Sequence, residues 1–580
     1  MDKNTVIAIF LSTIVIIGGF TLQNILFPPQ PVVHNTQETA VSVETYQNSA
    51  AENKQSKEAV LLSLPDTEQN TEENFTVETD LVQVTFTNKG GDILSYKLKK
   101  HTDKTDFVEM ADFVTDSNRA FSVLLGNENS NSVNEIFNTR IISDTVIGFY
   151  KNFQVQNTDG SFSSFTLVKQ YSFIPDDYMF ELKITIDGDD SFTGLNIAGS
   201  AYTLRTSPQI GPTWNQKQDR YEYRKFYYLT EGQKKTVTLK EGQIKKITDP
   251  STWTAVAGKY FTLISLPDTQ LQSSVFSSVS GQADTTSAQM FLTRGPITGN
   301  SQTDTWKFYI GPRTEKNLVK YNIITNNPYK LYDTKLDQVV EGSGPLGPLE
   351  VLLKKLMELF YKIIPNWGVS IIIMTILLRA VIFPLTKKSS ESTLKMQELQ
   401  PKIKEIQDKY KNNQQKMNEE MAKFYQTAGY NPLSGCLPLL IQFPLIFAMY
   451  NLFNNYFEFR GAMFIPGWIP DLSQGDSVFS LSSPIPLLGW TDIRLLPVIY
   501  VVSQLLFGKV TQTPGAAQQN SSMKFMMYGM PLMFFFMFYN APAGLLVYWI
   551  FSNVLTLIQQ VVINKMMHAK KKENLKLVTK

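Results

Sequence analysis

Apolar positions along this chain follow two regimes. Over residues 75–340 they alternate with polar ones in short runs. Val82, Val84 and Phe86 are followed by Asn88-Lys89-Gly90-Gly91 and then by Leu94, Tyr96 and Leu98. Period-two runs flanking a glycine turn predict a hairpin. Similar runs at 162–173, 178–186 and 236–247, punctuated by Gly, Asp and Pro, predict a large all-β domain of sandwich type. After 340 the alternation stops and long apolar runs take over. A membrane core about 30 Å thick is crossed by roughly 20 mostly apolar helical residues. Runs at 367–386, 433–454, 492–509, 524–540 and 543–564 are read as spans. A further apolar run lies at 1–27. It is too long for a signal-peptide core, and Leu26-Phe27-Pro28-Pro29 is a poor cleavage site, so it is read as an uncleaved anchor. The prediction is a polytopic α-helical membrane protein with six transmembrane helices and a large all-β extracytoplasmic domain.

The polar stretches complete the layout. Residues 28–74 are rich in Gln, Asn, Glu, Thr and Ser with almost no aromatics, a composition that cannot offset its ordering entropy, and are read as a flexible linker. Residues 349–364 carry Glu350, Lys354, Glu358 and Lys362 at a spacing of four, with Leu352, Leu353, Leu356, Leu359, Phe360 and Ile363 opposite. That is an amphipathic helix too charged to span and suited to the interface plane. Residues 389–429 are charged, with a broken apolar stripe and a gap at Asn412-Asn413, and predict a two-helix hairpin.

Charge sets the orientation. The 389–429 hairpin and the 565–580 tail are basic, whereas loop 456–491 carries Glu458, Asp471 and Asp476 against Arg460. Excess Lys and Arg mark cytoplasmic segments. Hairpin, loop 510–523, tail and N-terminus are therefore expected inside, and the β domain and loop 456–491 outside. The whole chain has 580 residues, a formal net charge of +2, one Cys and three His. A single cysteine and three dispersed histidines exclude a disulfide framework and a Cys or His metal cluster. No phosphate loop or convergent nucleophile–base set is present, so neither enzyme nor cofactor chemistry is expected. A near-neutral chain gives no reason to expect nucleic-acid binding.

One residue breaks the apolar pattern. Arg379 lies inside the 367–386 span, eight residues before Lys387, or about 12 Å into the membrane at ~1.5 Å per residue. A charge at depth costs at least about 2.5–3.5 kcal/mol and marks function. No Asp or Glu lies at membrane depth in the five C-terminal spans to pair with it, which argues against an ion-coupled transporter. Its companions are neutral: Thr375 four residues earlier, Gln442 and Gln504 in their own spans, and in the last span Tyr548, Trp549, Ser552, Asn553, Thr556, Gln559 and Gln560. Such residues can glue helices together. Taken with an unpaired arginine, they are expected to line a wet groove for a client carrying polar or acidic groups, beside adaptable Met- and Phe-rich surface.

The stretches TILLRAVIFPLTKKSSESTLKMQELQPKIKEIQDKYK, NPLSGCLPLLIQFPLIFAMY and PAGLLVYWIFSNVLTLIQQ, with NKGGDI and WTAVAGKYF in the β region, resemble the YidC/Oxa/Alb family of membrane protein insertases, in its Gram-negative form. The resemblance implies a β-supersandwich periplasmic domain and five core helices around a groove open to cytoplasm and lipid. It implies that Arg379, Thr375 and Gln442 are groove positions and that Tyr548 and Trp549 lie along the client path. The second aromatic is often Tyr in relatives, so Trp549 is a departure. The implied partners are nascent membrane proteins, the Sec translocon with its accessory subunits, the lipid bilayer, and ribosome or targeting factors at the hairpin and basic tail. The implied location is the bacterial inner membrane. The expected function is insertion and folding of inner-membrane proteins. The rival classes are a small-solute transporter or channel with a periplasmic binding domain, and a structural scaffold.

Overall fold

In the computed structural model, the residues described are 61–63, 71–103, 106–156, 160–214, 222–278, 287–341, 346–429, 437–483, 485, 488, 490–511 and 528–578. The 1–27 anchor, most of the 28–74 linker, and nearly all of the 510–523 loop with the start of the 524–540 span lie outside them. Two compact units form. One holds the described residues of 368–443 and 475–580, the other those of 52–367 and 444–474.

The second unit is dominated by β structure. A ten-stranded antiparallel sheet runs through its middle, with Phe162–Phe173, Met179–Gly188 and Ser301–Pro312 at its centre. A four-stranded and a five-stranded sheet contribute to the same hydrophobic core. Strict alternation along Phe162–Phe173 sends every second side chain into that core. Aromatic rings close the sandwich: Phe86 meets Tyr171 at 4.8 Å, Phe121 meets Phe308 at 4.8 Å, and Phe226 stacks on Phe276 at 5.0 Å.

Three details differ from the sequence expectation. Leu94 is only half-buried, and Ile93, Tyr96 and Leu98 fill the core instead. An irregularity between Thr85 and Phe86 shifts the pairing and moves the alternation by one residue. The run at 236–247 is two edge strands, Gln233–Val237 in the large sheet and Gln243–Ile247 in the five-stranded sheet. The stretch read as linker contains a short strand, Leu61–Ser63, paired antiparallel at the edge of the large sheet.

The NKGGDI turn is a charge anchor. Gly90 and Gly91 have φ of 71° and 62°, and a Cβ on Gly91 would meet Phe149 Cβ at 2.8 Å, so only glycine fits. The turn delivers Asp92 into the core, where its two oxygens accept from Lys169 Nζ at 2.6 Å and Arg119 Nε at 3.0 Å. Asp92 and Lys169 are fully buried and Arg119 is 2% exposed. Lys169 also donates to the carbonyls of Gly90 and Phe121. Burial pulls the Lys169 ammonium down, and Asp92 pulls it back up.

The WTAVAGKYF stretch receives the segment that follows residue 455. Phe457 lies edge-on to Phe261 at 5.7 Å and to His101 at 5.1 Å. Arg460 sits over the Phe261 ring and donates to the Thr102 carbonyl at 2.6 Å. His101 Nε2 lies 3.1 Å from the Tyr178 hydroxyl. Burial, with Arg460 nearby, lowers His101 to about 4. Lys259 is also buried, and desolvation brings it down to about 8, against the pull of Glu222 and Asp471.

Helix α1, Gly347–Ile363, turns the expected amphipathic helix partly inside out. Glu350, Leu353 and Met357 are buried, while Val351, Leu352, Leu359 and Ile363 are exposed. The acidic stripe has partners: Asn451 donates to Glu350 at 3.0 Å and Tyr456 to Glu358 at 2.9 Å. Exposed leucines on a helix that ends shortly before Trp367 suit a lipid interface. Trp367 stacks on Tyr361 at 4.2 Å.

The other unit is helical. Helix α2, Trp367–Lys409, runs without a break through Pro384 and Pro401 and includes the first arm of the expected hairpin. After a turn near the expected tip, α3 covers Gln414–Thr427, capped by Asn413 accepting from Lys416 N at 3.0 Å. Helix α4 covers Leu437–Asn455, α5 Leu496–Thr511, α6 Met530–Phe538 and α7 Ala543–Val578. Helix α4 is divided between the two units at Pro444. Among the described residues two helical segments, Trp367–Ser392 and Ala543–Met567, are long and apolar enough to cross a membrane, and Leu496–Gly508 is a shorter apolar helix. The expected count of six is therefore not reached among them. The 433–454 and 524–540 runs are each described only in part, and helical α6 covers nine residues.

Candidate functional site

Arg379 lies midway along the apolar part of α2, on a helix whose Ile376, Leu377 and Val381 are exposed. Its side chain is half-buried against α7. Arg379 Nε donates to Ser552 Oγ at 3.0 Å, and Nη2 donates to the same oxygen. Gln559 Nε2 donates to the main-chain carbonyl of Arg379 at 2.9 Å. Ser552 and Gln559 are two turns apart on one face of α7, so they meet both ends of the same residue. Tyr548, one turn before Ser552, is 2% exposed. Among the described residues no carboxylate comes within ion-pair distance of Arg379.

The remaining polar residues fall into separate groups. Asn553 faces α5, where its amide donates to Gln504 Oε1 at 2.8 Å and Ser503 Oγ at 3.0 Å. Gln560 accepts from Ser390 at 3.0 Å and donates to Asn564 at 3.0 Å. Thr375 is fully buried, and its hydroxyl donates to the Ile371 carbonyl at 2.6 Å. Thr556 likewise donates to the Ser552 carbonyl at 2.7 Å. Both are hydroxyls turned back on their own helix. Trp549 packs between Tyr500 at 5.4 Å and Phe538 at 4.7 Å. Gln442 is half-buried near the start of α4, and no described hydrogen bond joins it to Arg379.

Hence α7 presents two polar edges, Ser552 and Gln559 toward α2 and Asn553 toward α5. Sequence reasoning placed Asn553 and Arg379 in one lining; the geometry gives them different partners. Ser503 and Ser390 were not singled out from sequence. Serines in apolar helices carry little signal there, and only the neighbouring helix reveals what they bond. No group of His, Cys, Asp or Glu among the described residues is arranged to hold a metal ion.

Comparison with known proteins decides the family. A membrane protein insertase YidC of Treponema denticola is 50% identical, over 98% of this chain and 100% of that protein. One of Treponema pallidum is 44% identical, over 97% and 99%. The chain belongs to the YidC membrane protein insertase family. Two family descriptions divide its length: YidC periplasmic domain over residues 74–341 and 60Kd inner membrane protein over residues 359–571. A crystal structure of an active YidC insertase with its first transmembrane domain resolved is 18% identical, covering 84% of this chain and 92% of that one with a TM-score of 0.35.

As a YidC insertase the chain is an inner-membrane protein with a periplasmic domain, and it acts without enzymatic chemistry on nascent membrane proteins. The small-solute transporter reading finds no support in these relatives. Arg379, Ser552 and Gln559 all fall within the 60Kd inner membrane protein match.

Proposed function

We propose that Arg379 is the transient polar seat used during insertion. A hydrophobic client segment slides along the apolar faces of the span helices. Its short polar or acidic tail rests near Arg379 and then crosses, and release follows as the segment partitions into lipid. The observation that carries this reading is a cation in an apolar helix whose described partners are a hydroxyl and a carboxamide. Thr375, Gln442, Gln504, Tyr548, Trp549, Ser552, Asn553, Thr556 and Gln560 complete the proposed groove. The proposed topology has six spans, five of them forming the core, with both termini cytoplasmic. The proposed partners are the Sec translocon and, at the 389–429 hairpin and basic tail, ribosome or targeting factors.

Site-specific crosslinking from Thr375, Gln442 and Tyr548 to a stalled nascent membrane protein tests the client path. All three are expected to trap it. If none does while lipid-facing Val381 does, the groove is misplaced.

A further inference from the structure

A guanidinium offers a carboxylate two favourable edges, and one of them pairs Nε with Nη2 for a side-on, two-bond contact. Ser552 Oγ occupies that edge in this chain, accepting from both Nε and Nη2. A hydroxyl has two lone pairs, so both are committed. It carries no charge, however, and hydrogen bonds from a cation to a carboxylate are roughly twice as strong as neutral ones. Behind it the residue is held in place. Pro384 removes the amide that the Ala380 carbonyl would otherwise accept from. Next to that weakened point Gln559 bonds the Arg379 carbonyl at 2.9 Å.

We infer that Ser552 is a specificity-determining placeholder: a neutral acceptor that holds the carboxylate-binding edge of Arg379 between clients and yields it to an acidic client group. Gln559 is a positioning residue that keeps the backbone still during the exchange. The inference rests on Arg379 being the client seat. It adds that discrimination between acidic and neutral tails is set by a residue on α7, through the strength of the competing acceptor. A stronger resident acceptor should exclude acidic tails, and a missing one should favour them.

The test uses full-length protein in proteoliposomes and two single-span clients that differ only in tail Asp against Asn. The readout is the ratio of their insertion rates. Ser552→Asp supplies a resident carboxylate and should lower the acidic-to-neutral ratio about tenfold, the factor expected when a charged competitor replaces a neutral one. Ser552→Ala removes the competitor and should raise the ratio. Ser552→Thr keeps the hydroxyl and should return it to the wild-type value. A loss of packing alone would slow both clients and leave the ratio unmoved. Should Ser552→Asp fail to fold, judged by monodispersity in detergent, the Ala and Thr variants decide. If the ratio is unchanged in the Ser552 variants while Arg379→Gln lowers it, the placeholder is overturned and the client seat stands. If Arg379→Gln also leaves it unchanged, both fall.

Discussion

The two units treat a cation away from bulk water in opposite ways. In the β unit, Lys169 and Arg119 are out of solvent and converge on the buried carboxylate of Asp92, with main-chain carbonyls taking the other Lys169 donors and Asp116 and Asn134 taking those of Arg119. In the helical unit, Arg379 has a hydroxyl at its side chain and a carboxamide at its carbonyl. Desolvating a charge costs several kcal/mol, which a structural site recovers by neutralising it internally. A site that works by receiving charge from outside must leave that step unfinished. On the proposed function, the contrast separates a charge that anchors a fold from one that serves clients.

Removing the resident anion should produce the largest effect. Asp92→Ala leaves Lys169 buried without a carboxylate and Arg119 with only its longer contact to Asp116, and is expected to cost about 3–5 kcal/mol, read as a large drop in thermal midpoint of the detergent-solubilised protein. Arg379→Met, by contrast, strands no partner charge and should leave that midpoint nearly unchanged. A large drop there would show that Arg379 is structural after all. In activity the order reverses: Arg379→Glu should slow clients with acidic tails about tenfold or more relative to clients with neutral ones, about 1.4 kcal/mol. Equal rates for both would remove the electrostatic part of the mechanism.

Smaller effects concern the segment docked on the β domain. His101 is held neutral, with a pKa lowered to about 4 from an ordinary value near 6.5. The unfolded chain therefore takes up a proton that the folded chain refuses. The stability this contributes is complete above about 6.5 and is lost as pH falls toward 4. The thermal midpoint should fall across that window, and His101→Phe should flatten its decline there; an unchanged slope would count against the assignment. Lys259, lowered to about 8, is buried at a cost at neutral pH. Lys259→Met should raise the midpoint by a small amount, on the order of 1 kcal/mol. A decrease would mean that its pull on Glu222 and Asp471 outweighs desolvation.

Much of the fold was legible because burial repeats along a strand. The alternation over 162–173 marked Phe165, Leu167, Tyr171 and Phe173 as one core face, although Phe162 is exposed and Lys169 is buried among them, and the glycine pair in NKGGDI marked its turn. Leu94 misled because it is itself the skipped residue of an irregularity, lying between Ser95 opposite Thr85 and Ile93 opposite Phe86, which slides the phase by a residue. The run at 236–247 misled because period two looks the same in one strand or in two edge strands of different sheets. At the candidate site, Arg379 stood out by chemistry alone, since a charge in an apolar span needs no neighbour to be conspicuous. Its partners did not. Of the many neutral polar residues on α7, nothing in their order assigned Ser552 to α2 and Asn553 to α5.

By itself the sequence determined the family, the membrane-bound and β-rich regions, and the presence of Arg379 deep in an apolar run with no carboxylate at its depth. Those are properties of residue type and period, carried by consecutive positions. Only the tertiary structure decided that α1 turns Glu350 and Glu358 toward Asn451 and Tyr456 and Leu352 and Leu359 outward. Only it put Lys169, Arg119 and Asp92 together, and set a single serine on the edge of Arg379 where a carboxylate would bind. Each depends on segments far apart in the chain meeting at hydrogen-bond distance, and a hydrogen bond is decided by angstroms that no local pattern encodes.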